Sequence, residues 1–182
     1  MSGAEFAIRA ARVADAPAIA ALHVAVWRAT YRDLAPPEAI QRLDVAFREK
    51  RWIEMLEQGR RTVLVAEVGD RIVGIGTAGA PTVPELGAHG EVLYLYVDPE
   101  CGRRGIGRAL MHRLGLALQA QDYRSAALGV VVGNDGAIAF YQRLGGRAAG
   151  TYTDPGPIWR SRNQIMVWDD VQTLLERTRR RS

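Results

Sequence analysis

The spacing of hydrophobic residues in the first third of the chain predicts one strand followed by two helices. Residues 6–11 (FAIRAA) are typical of a short strand. Apolar residues then recur at helical spacing from Asp15, a residue type that caps helices, as far as Tyr31. A second helical pattern begins near Glu38 and ends at Gly59, because glycine favours helix termination.

The rest of the chain alternates between strand and helix patterns. Two β-branched runs flank Gly69-Asp70, which predicts a hairpin with a two-residue turn. Residues 91–97 (EVLYLYV) are almost wholly apolar, as expected for a strand buried on both faces near the centre of a sheet. Further elements are predicted as a helix at 106–120, a strand at 125–134, a helix at 137–144, a strand at 147–152, a last strand from Gln164, and a short helix or frayed end after it.

The predicted element order, β α α β β β α β α β β, indicates a single α+β domain with a mixed sheet. That domain extends over residues 1–182, since no internal repeat or linker interrupts the patterns. Residues 91–134 form a strand–helix–strand unit, and the two strands of such a unit are parallel. We therefore expect one parallel strand pair in the sheet.

Composition narrows the classes of protein to which the chain can belong. Hydrophobic residues make up 48% of the chain, enough for a sizeable core, and no apolar run approaches the roughly 20 residues of a membrane span. Residues 1–12 lack the apolar segment of a signal peptide, so a cytoplasmic location is expected. Cys101 is the single cysteine, which excludes an internal disulfide and a zinc site built from thiolates.

Arginine accounts for nearly all of the positive charge. The net charge is +4, and Lys50 is the only lysine among 24 basic residues. Guanidinium groups match phosphate oxygens two at a time, which would suit a phosphate-bearing ligand. For most of these arginines, a solvated surface is the favoured interpretation.

A glycine-rich loop between a strand and a helix is the strongest chemical signal. Residues 97–110 read VDPECGRRGIGRAL. Glycines let backbone N–H groups turn inward, and a helix N-terminus adds unpaired N–H groups and partial positive charge. The arginines Arg103, Arg104 and Arg108 bring full charges, so the loop suits a phosphate or pyrophosphate. The Walker pattern is absent, and the dinucleotide fingerprint lacks its third small residue.

Four stretches, in order along the chain, resemble the GCN5-related N-acetyltransferase family, which binds acetyl-coenzyme A. They are RVADAPAIAALHVAVWRATYRDL, EVLYLYVDP, RRGIGRALM and VVGNDGAIAFYQRLGG. The resemblance implies a mixed, mostly antiparallel sheet with helices on both faces, in which a central parallel pair splays to hold acetyl-CoA. It also implies acceptor-side helices at about 14–58 and a coenzyme-binding core at about 91–146. The family usually has Gln or Arg where this chain has Gly102, and arginine follows one position later at Arg103.

The resemblance also assigns coenzyme-binding residues. The backbone of the fourth strand would pair with the pantetheine arm, and a bulge there would leave an N–H free for the thioester carbonyl. Asn134 would contact the same arm, although it is equally suited to cap the helix that follows. The strand residues concerned are Leu95, Tyr96 and Val97, and the pyrophosphate loop comprises Arg103, Arg104, Gly105, Ile106, Gly107 and Arg108. The resemblance implies no metal.

Tyr141 and Glu91 are the candidate catalytic residues under the same resemblance. Tyr141 lies seven residues after Asn134, where the family has an acid that protonates the departing thiolate. Its spacing to Ala137 and Leu144 also fits a core residue. Glu91 occupies the place of a glutamate that deprotonates the amine through water, and a charge at a strand mouth is the alternative.

Other titratable residues received weaker functional interpretations. His89 is a rival base close to Glu91, and ordered water could also suffice. His23 and His112 are expected on helix faces, where neither needs a catalytic role. Cys101 sits near a helix N-terminus, but the family acts by direct transfer, so an acyl-cysteine intermediate has little weight.

The expected activity is acetyl transfer from acetyl-CoA to a primary amine by direct attack in a ternary complex. The amine would lie against the first two helices and residues 80–90, where Trp27, Tyr31 and Trp52 shape a pocket or simply fill the core. A small molecule, a peptide N-terminus or a lysine remains open as the acceptor. The alternative is an acyl-CoA-binding regulatory module with little catalysis. Scattered basic residues argue against a nucleic-acid binder, despite the RTRRRS end, and a homodimer is compatible with the resemblance.

Overall fold

The structure is a computed structural model, and it describes residues 5–179. Within these residues the chain forms a seven-stranded sheet and six α-helices. The strands are β1 (Ala7–Ala10), β2 (Thr62–Val68), β3 (Arg71–Gly79), β4 (Gly90–Val97), β5 (Ala126–Val131), β6 (Arg147–Thr153) and β7 (Arg162–Trp168). The helices are α1 (Ala16–Tyr31), α2 (Pro37–Arg42), α3 (Val45–Gln58), α4 (Ile106–Ala120), α5 (Asp135–Arg143) and α6 (Val171–Thr178).

The sheet has the strand order β1-β2-β3-β4-β5-β7-β6, so β4 is its central strand. Every neighbouring pair is antiparallel except β4–β5, which is parallel. The predicted α+β class, the central position of residues 91–97 and the single parallel pair are thereby confirmed. The continuous apolar sequence of β4 follows from this position, because both of its faces are covered by helices.

The parallel pair opens soon after it begins. The β4–β5 ladder contains only the pairs Gly90↔Ala126 and Glu91↔Ala127. Beyond them the two strands diverge around a cavity of about 210 Å³. The splayed pair expected from the sequence is therefore present, and this opening makes room inside the sheet.

The second predicted helix is two helices in the structure. The chain leaves the helical conformation at Leu43, whose side chain is fully buried, and resumes it after Asp44. The Asp44 carboxylate accepts the backbone N–H of Ala46, which makes it the N-cap of α3. The sequence did not predict this break, because the apolar Leu43 continues the helical spacing although its burial in the core does not require a helix there. The chain end forms α6, while residues 180–182 of the basic RTRRRS segment lie outside the described residues.

Helices cover both faces of the sheet, and α4 lies especially close to it. An added Cβ at Gly76 would stand 2.7 Å from Leu114, and one at Gly90 would stand 2.7 Å from Leu118. Close packing of α4 on β3 and β4 fixes where its N-terminus lies relative to the splayed strands. The helices α1 and α3 pack together on the opposite face, with Trp52, Ile19 and Ile75 among the buried residues there.

Candidate functional site

The divergence of β4 and β5 creates a cleft that brings several predicted residues together. We call it the β4–β5 cleft; its lining includes Leu95, Tyr96, Val97, Val130, Asn134 and Tyr141. Five of these six were expected at the site from the sequence. Beyond Glu91, the edge of β4 that faces β5 has no ladder partner in that strand, so its backbone groups face the cleft.

β4 also contains a bulge, in its pairing with β3. The register of β3 against β4 passes from Gly76↔Leu95 to Ala78↔Val92. Two residues of β4, Leu93 and Tyr94, therefore stand opposite the single residue Thr77. A bulge interrupts the ladder and turns backbone groups away from their regular partners. A bulge is expected between this strand and the next, and the structure has it instead in the pairing with the preceding strand, β3.

The glycine loop lies at the mouth of the cleft. Gly105 precedes α4 with a φ of 80°, and an added Cβ there would meet no atom within 4 Å. The N–H of Ala109 makes the first bond of the helix, to the Gly105 carbonyl at 2.9 Å. The N–H groups of Ile106, Gly107 and Arg108 therefore precede the first intrahelical bond and point outward from the helix end. A Cβ on Gly107 would lie 3.7 Å from Val97 of β4, which fixes the loop beside the cleft.

The charges around the loop differ from the expectation at one position. Arg103 and Arg104 are exposed on the loop, as expected. The Arg108 guanidinium instead donates to the carbonyls of Thr178 at 3.2 Å and Arg179 at 2.7 Å. Its side chain therefore stabilises the C-terminus of α6, and the expectation that it adds charge to the loop is corrected. Only its backbone N–H belongs to the helix end.

Gly102 and Cys101 have structural explanations within the loop. An added Cβ at Gly102 would lie 3.1 Å from the Pro99 carbonyl oxygen, so a larger side chain would crowd the turn. The Cys101 thiol is buried and accepts a hydrogen bond from Arg71, which also pairs with Asp98 at 3.4 Å. Arg71 thus ties the loop to β3, a role that no sequence signal indicated.

Tyr141 and Asn134 each combine the two roles that the sequence left open. The Tyr141 ring packs edge-on against Trp168 in the core and also lines the cleft. Burial, with the nearby Tyr31 phenol adding to it, raises the pKa of Tyr141 well above its ordinary value, so the hydroxyl keeps its proton. The Asn134 side chain caps α5 through the Ala137 N–H at 3.4 Å and also lines the cleft.

Glu91 is buried and held by two neighbours. Its carboxylate accepts the backbone N–H of Thr82 at 3.0 Å and the Thr82 hydroxyl at 2.9 Å, and it pairs with Arg61 at 3.2 Å. Burial raises the pKa of Glu91, and Arg61 and Thr82 oppose that rise. The same burial lowers the pKa of Arg61. The pair is therefore costly to desolvate. Glu91 also lines a pocket.

A second space adjoins the cleft and is lined by residues of α1 and α3, and we call it the α1–α3 pocket. Its walls include Trp27 of α1, Arg48 of α3, Glu91 of β4, and residues 82–83 and 154–159. Its volume is about 370 Å³. Four residues, Tyr31, Leu93, Tyr96 and Gly129, line both this pocket and the β4–β5 cleft. The two spaces therefore meet where β4 and β5 splay.

The three histidines lie in different environments, and only His23 lines the α1–α3 pocket. His89 bonds to the Ser125 hydroxyl at 2.7 Å and does not line the α1–α3 pocket, while His112 bonds to the Thr178 hydroxyl at 2.9 Å between α4 and α6. His23 is 1% exposed and lines the α1–α3 pocket together with Arg48. No sequence signal indicated a pocket role for either residue, because their spacing along α1 and α3 resembles that of any helix face.

Aromatic residues form one wall of this pocket. Trp27, Tyr31 and Trp159 meet edge-on, with ring centroids 5.0 to 6.4 Å apart. Trp27 and Tyr31 therefore shape the pocket while remaining largely buried. Trp52 is 2% exposed and does not line this pocket, but it lines a neighbouring cavity of about 440 Å³ together with His23 and Arg48. Trp159 belongs to a loop between β6 and β7, and its role could not be found from periodicity.

Residues 5–179 bring together no group of three or more His, Cys, Asp or Glu side chains suited to hold a metal ion. Among the helices of these residues, none is long and apolar enough to cross a membrane.

Comparisons with known proteins agree with this geometry. The profile of the acetyltransferase (GNAT) family matches residues 27–146. The uncharacterized N-acetyltransferase YuaI of Bacillus subtilis (strain 168) is 31% identical over 137 residues, which cover 74% of this chain and 76% of YuaI.

Solved structures share the fold across nearly the whole chain. The PaiA N-acetyltransferase of Thermoplasma acidophilum, solved in complex with coenzyme A, superposes with a TM-score of 0.71 at 17% identity and covers 90% of this chain and 98% of its own. YncA of Salmonella typhimurium, a putative acetyltransferase solved with acetyl-CoA, has a TM-score of 0.68 at 22% identity, with coverages of 90% and 93%. Because the family profile spans more than half of the sequence, this chain belongs to the acetyltransferase (GNAT) family and is an acyltransferase.

Proposed function

We propose that this chain transfers the acetyl group of acetyl-CoA to a primary amine by direct attack in a ternary complex. One observation carries the proposal: the β4–β5 cleft and the α1–α3 pocket share Tyr31, Leu93, Tyr96 and Gly129. A thioester in the cleft and an amine in the pocket would meet at these shared residues. Such juxtaposition converts a bimolecular reaction into one between held groups.

The residues around the cleft fit acetyl-CoA. The first N–H groups of α4, the open space beside Gly105 and the exposed Arg103 and Arg104 suit a pyrophosphate. The unpaired edge of β4 suits the amides of a pantetheine arm, which would add to the sheet as a strand does. When bound, acetyl-CoA supplies the activated acyl group and the thiolate leaving group.

The chain's own residues handle the protons and the developing charge. Glu91 accepts a proton from the amine through a water molecule as the C–N bond forms. A backbone N–H at the β4 bulge stabilises the carbonyl oxygen as it becomes an oxyanion. Tyr141 donates its proton to the sulfur as the C–S bond breaks, and it regains a proton from solvent afterwards.

Two measurements test this proposal together. Calorimetry with coenzyme A should show binding to the purified chain, and thiol release from acetyl-CoA should depend on an added amine. Binding of coenzyme A without turnover of any amine in a broad panel would favour an acyl-CoA-binding regulatory module. If titration with coenzyme A produces no heat, both the acetyltransferase and the regulatory-module interpretations are wrong.

Location and assembly are also part of the proposal. Because the chain would draw on acetyl-CoA made inside the cell, we propose that it works in the cytoplasm, either alone or as a homodimer. Sedimentation at two protein concentrations would distinguish the two assembly states.

A further inference from the structure

The α1–α3 pocket contains a buried histidine, His23, and its hydrogen bond to Trp52 shows which ring nitrogen carries the proton. The indole Nε1–H of Trp52 donates to His23 Nδ1 at 3.2 Å. An indole nitrogen can only donate, so Nδ1 must be the acceptor and the proton of a neutral ring must lie on Nε2. Burial, with Arg48 adding to it, lowers the pKa of His23 to about 3, which keeps the ring neutral near pH 7. His23 therefore presents an Nε2–H donor.

That donor has no partner within the described part of the chain, and the same holds for a second donor beside it. His23 Nε2 and Arg48 Nε are both buried without a hydrogen-bond acceptor among residues 5–179. A buried donor without an acceptor is unfavourable by about 1–3 kcal/mol. Both side chains line the α1–α3 pocket, so a ligand in the pocket is positioned to supply the missing acceptor.

Charges of both signs line the pocket, and within residues 5–179 two of them, Arg48 and Asp154, make no ion pair. Arg51 pairs with Glu54 at 3.0 Å, and Arg61 pairs with Glu91 at 3.2 Å. A fixed positive charge and a neutral donor side by side, both lacking acceptors, match an anionic group with two oxygens.

We propose that the amine substrate of this enzyme carries a carboxylate, and that Arg48 and His23 hold it in the α1–α3 pocket. The inference rests on the proposed function and names its substrate class. The aromatic wall of Trp27, Tyr31 and Trp159 suits an apolar or aromatic side chain on the same molecule. A volume of about 370 Å³ suits a small molecule. An amino acid with a large apolar side chain has all three features.

Other acceptor classes fit these residues less well. Polyamines and aminoglycosides would bring additional positive charge next to the unpaired Arg48. A peptide N-terminus has its amine, but its terminal carboxylate lies at least one residue further along the chain. Free amino acids and short peptides share a carboxylate, so the experiment must distinguish them.

Three compounds distinguish a free amino acid, an amine without a carboxylate and a short peptide as the substrate. They are L-phenylalanine, L-phenylalaninamide and the dipeptide phenylalanylglycine. Thiol release from acetyl-CoA should have a kcat/KM for L-phenylalanine about ten- to a hundredfold higher than for the amide, given charge-assisted bonds of about 1.5–3 kcal/mol. The amide has the less basic amine, so ionisation of the amine would favour the opposite order. If the enzyme prefers the dipeptide to phenylalanine, the assignment of a free amino acid as the substrate is wrong.

A matched pair of variants on α3 assigns the preference to Arg48. Arg48→Met should reduce the acid-to-amide ratio to about one through a higher KM for L-phenylalanine, with coenzyme A affinity unchanged. Lys50→Met removes a positive charge two residues away on an exposed position and should keep the wild-type ratio. Persistence of the preference in Arg48→Met would contradict the inference.

The outcomes also separate this inference from the proposed function. If the enzyme acetylates spermine or kanamycin but discriminates against L-phenylalanine, the carboxylate inference is wrong and the acetyltransferase function stands. If coenzyme A binds but no amine is turned over, the proposed function itself fails. Calorimetry of L-phenylalanine against its amide, with coenzyme A present, gives a binding comparison that does not depend on turnover, and equal affinities would refute the carboxylate site.

Discussion

The β4–β5 cleft and the α1–α3 pocket meet at β4, but one is lined mainly by backbone groups and the other mainly by side chains. The cleft and its loop present backbone groups, drawn largely from residues 90–108 of one continuous segment. The pocket presents side chains from α1, α3 and residues 154–159, which lie far apart along the chain. A backbone site leaves a local signature of glycines and strand ends, whereas a side-chain pocket depends on packing of distant elements. The first kind of site is therefore suited to a fixed coenzyme, and the second to a variable acceptor.

The largest effect is expected from a substitution in the backbone site. Gly105→Val should weaken coenzyme A binding about a thousandfold, because losing two charge-assisted hydrogen bonds at about 2 kcal/mol each removes that much affinity. The Gly105 φ of 80° is unfavourable for a branched residue, and the added side chain would enter the open space at the loop. Isothermal calorimetry with coenzyme A measures the change.

Gly69→Val is the matched control for this variant. Gly69 has a φ of 60° in the β2–β3 hairpin, and an added Cβ there also meets no atom within 4 Å. Both variants should lose about 1–2 kcal/mol of folding stability from left-handed backbone strain. Only Gly105→Val should lose affinity, and an equal loss in Gly69→Val would mean that strain alone explains the effect.

Glu91 tests whether a residue of the side-chain pocket acts in the chemistry. Glu91→Gln should lower kcat about a hundredfold, the usual range for loss of a general base. Because burial raises the Glu91 pKa, the wild-type kcat/KM should fall as pH decreases through a value above the ordinary 4.5. That acid limb should disappear in the variant and should not shift when amines of different basicity are compared.

A double variant separates the catalytic role of Glu91 from its structural one. Glu91→Gln alone leaves the buried Arg61 guanidinium unpaired and should lower stability by about 3 kcal/mol. Adding Arg61→Met removes that charge and should restore most of the stability, but not the rate. If the rate recovers with the stability, Glu91 is only a structural partner of Arg61.

The same contrast explains what the sequence could and could not predict. Residues 91–108 predicted the central strand and the helix start correctly, since glycine spacing and apolar runs are local, and the anion site at the loop stays a prediction. Leu43 concealed the break between α2 and α3 because its burial satisfies both patterns. The side chain of Arg108 and the pairing of Arg71 with the loop depend on α6 and β3, which are distant in sequence. His23 and Arg48 form a site only when α1 packs on α3, so no spacing along one helix identifies them.

The neutral His23 ring predicts a pH dependence of stability that belongs to the α1–α3 pocket. The folded pKa of about 3 lies below the unfolded 6.5, so the unfolded chain binds the extra proton between these values. Stability should therefore fall as pH decreases from 6.5, and this ring should contribute a loss of about 2 kcal/mol by pH 5. Urea unfolding at pH 7 and pH 5 measures the loss in the wild type and in His23→Gln. The variant should lose correspondingly less, and identical pH slopes would contradict a buried neutral histidine.

The smallest effect is expected at Tyr141, on the cleft side of β4. Tyr141→Phe should lower kcat about tenfold, below the usual range for a general acid, because a thiolate is already a good leaving group. Coenzyme A affinity should hardly change, since the hydroxyl would act on sulfur only as the C–S bond breaks. Burial raises the Tyr141 pKa, so the wild-type rate should show no alkaline fall from loss of this proton up to about pH 10. Tyr123→Phe, which lies outside both spaces, should keep the wild-type kcat. A wild-type rate in Tyr141→Phe would leave that ring as a core residue that packs on Trp168, and protonation of the sulfur would then fall to solvent.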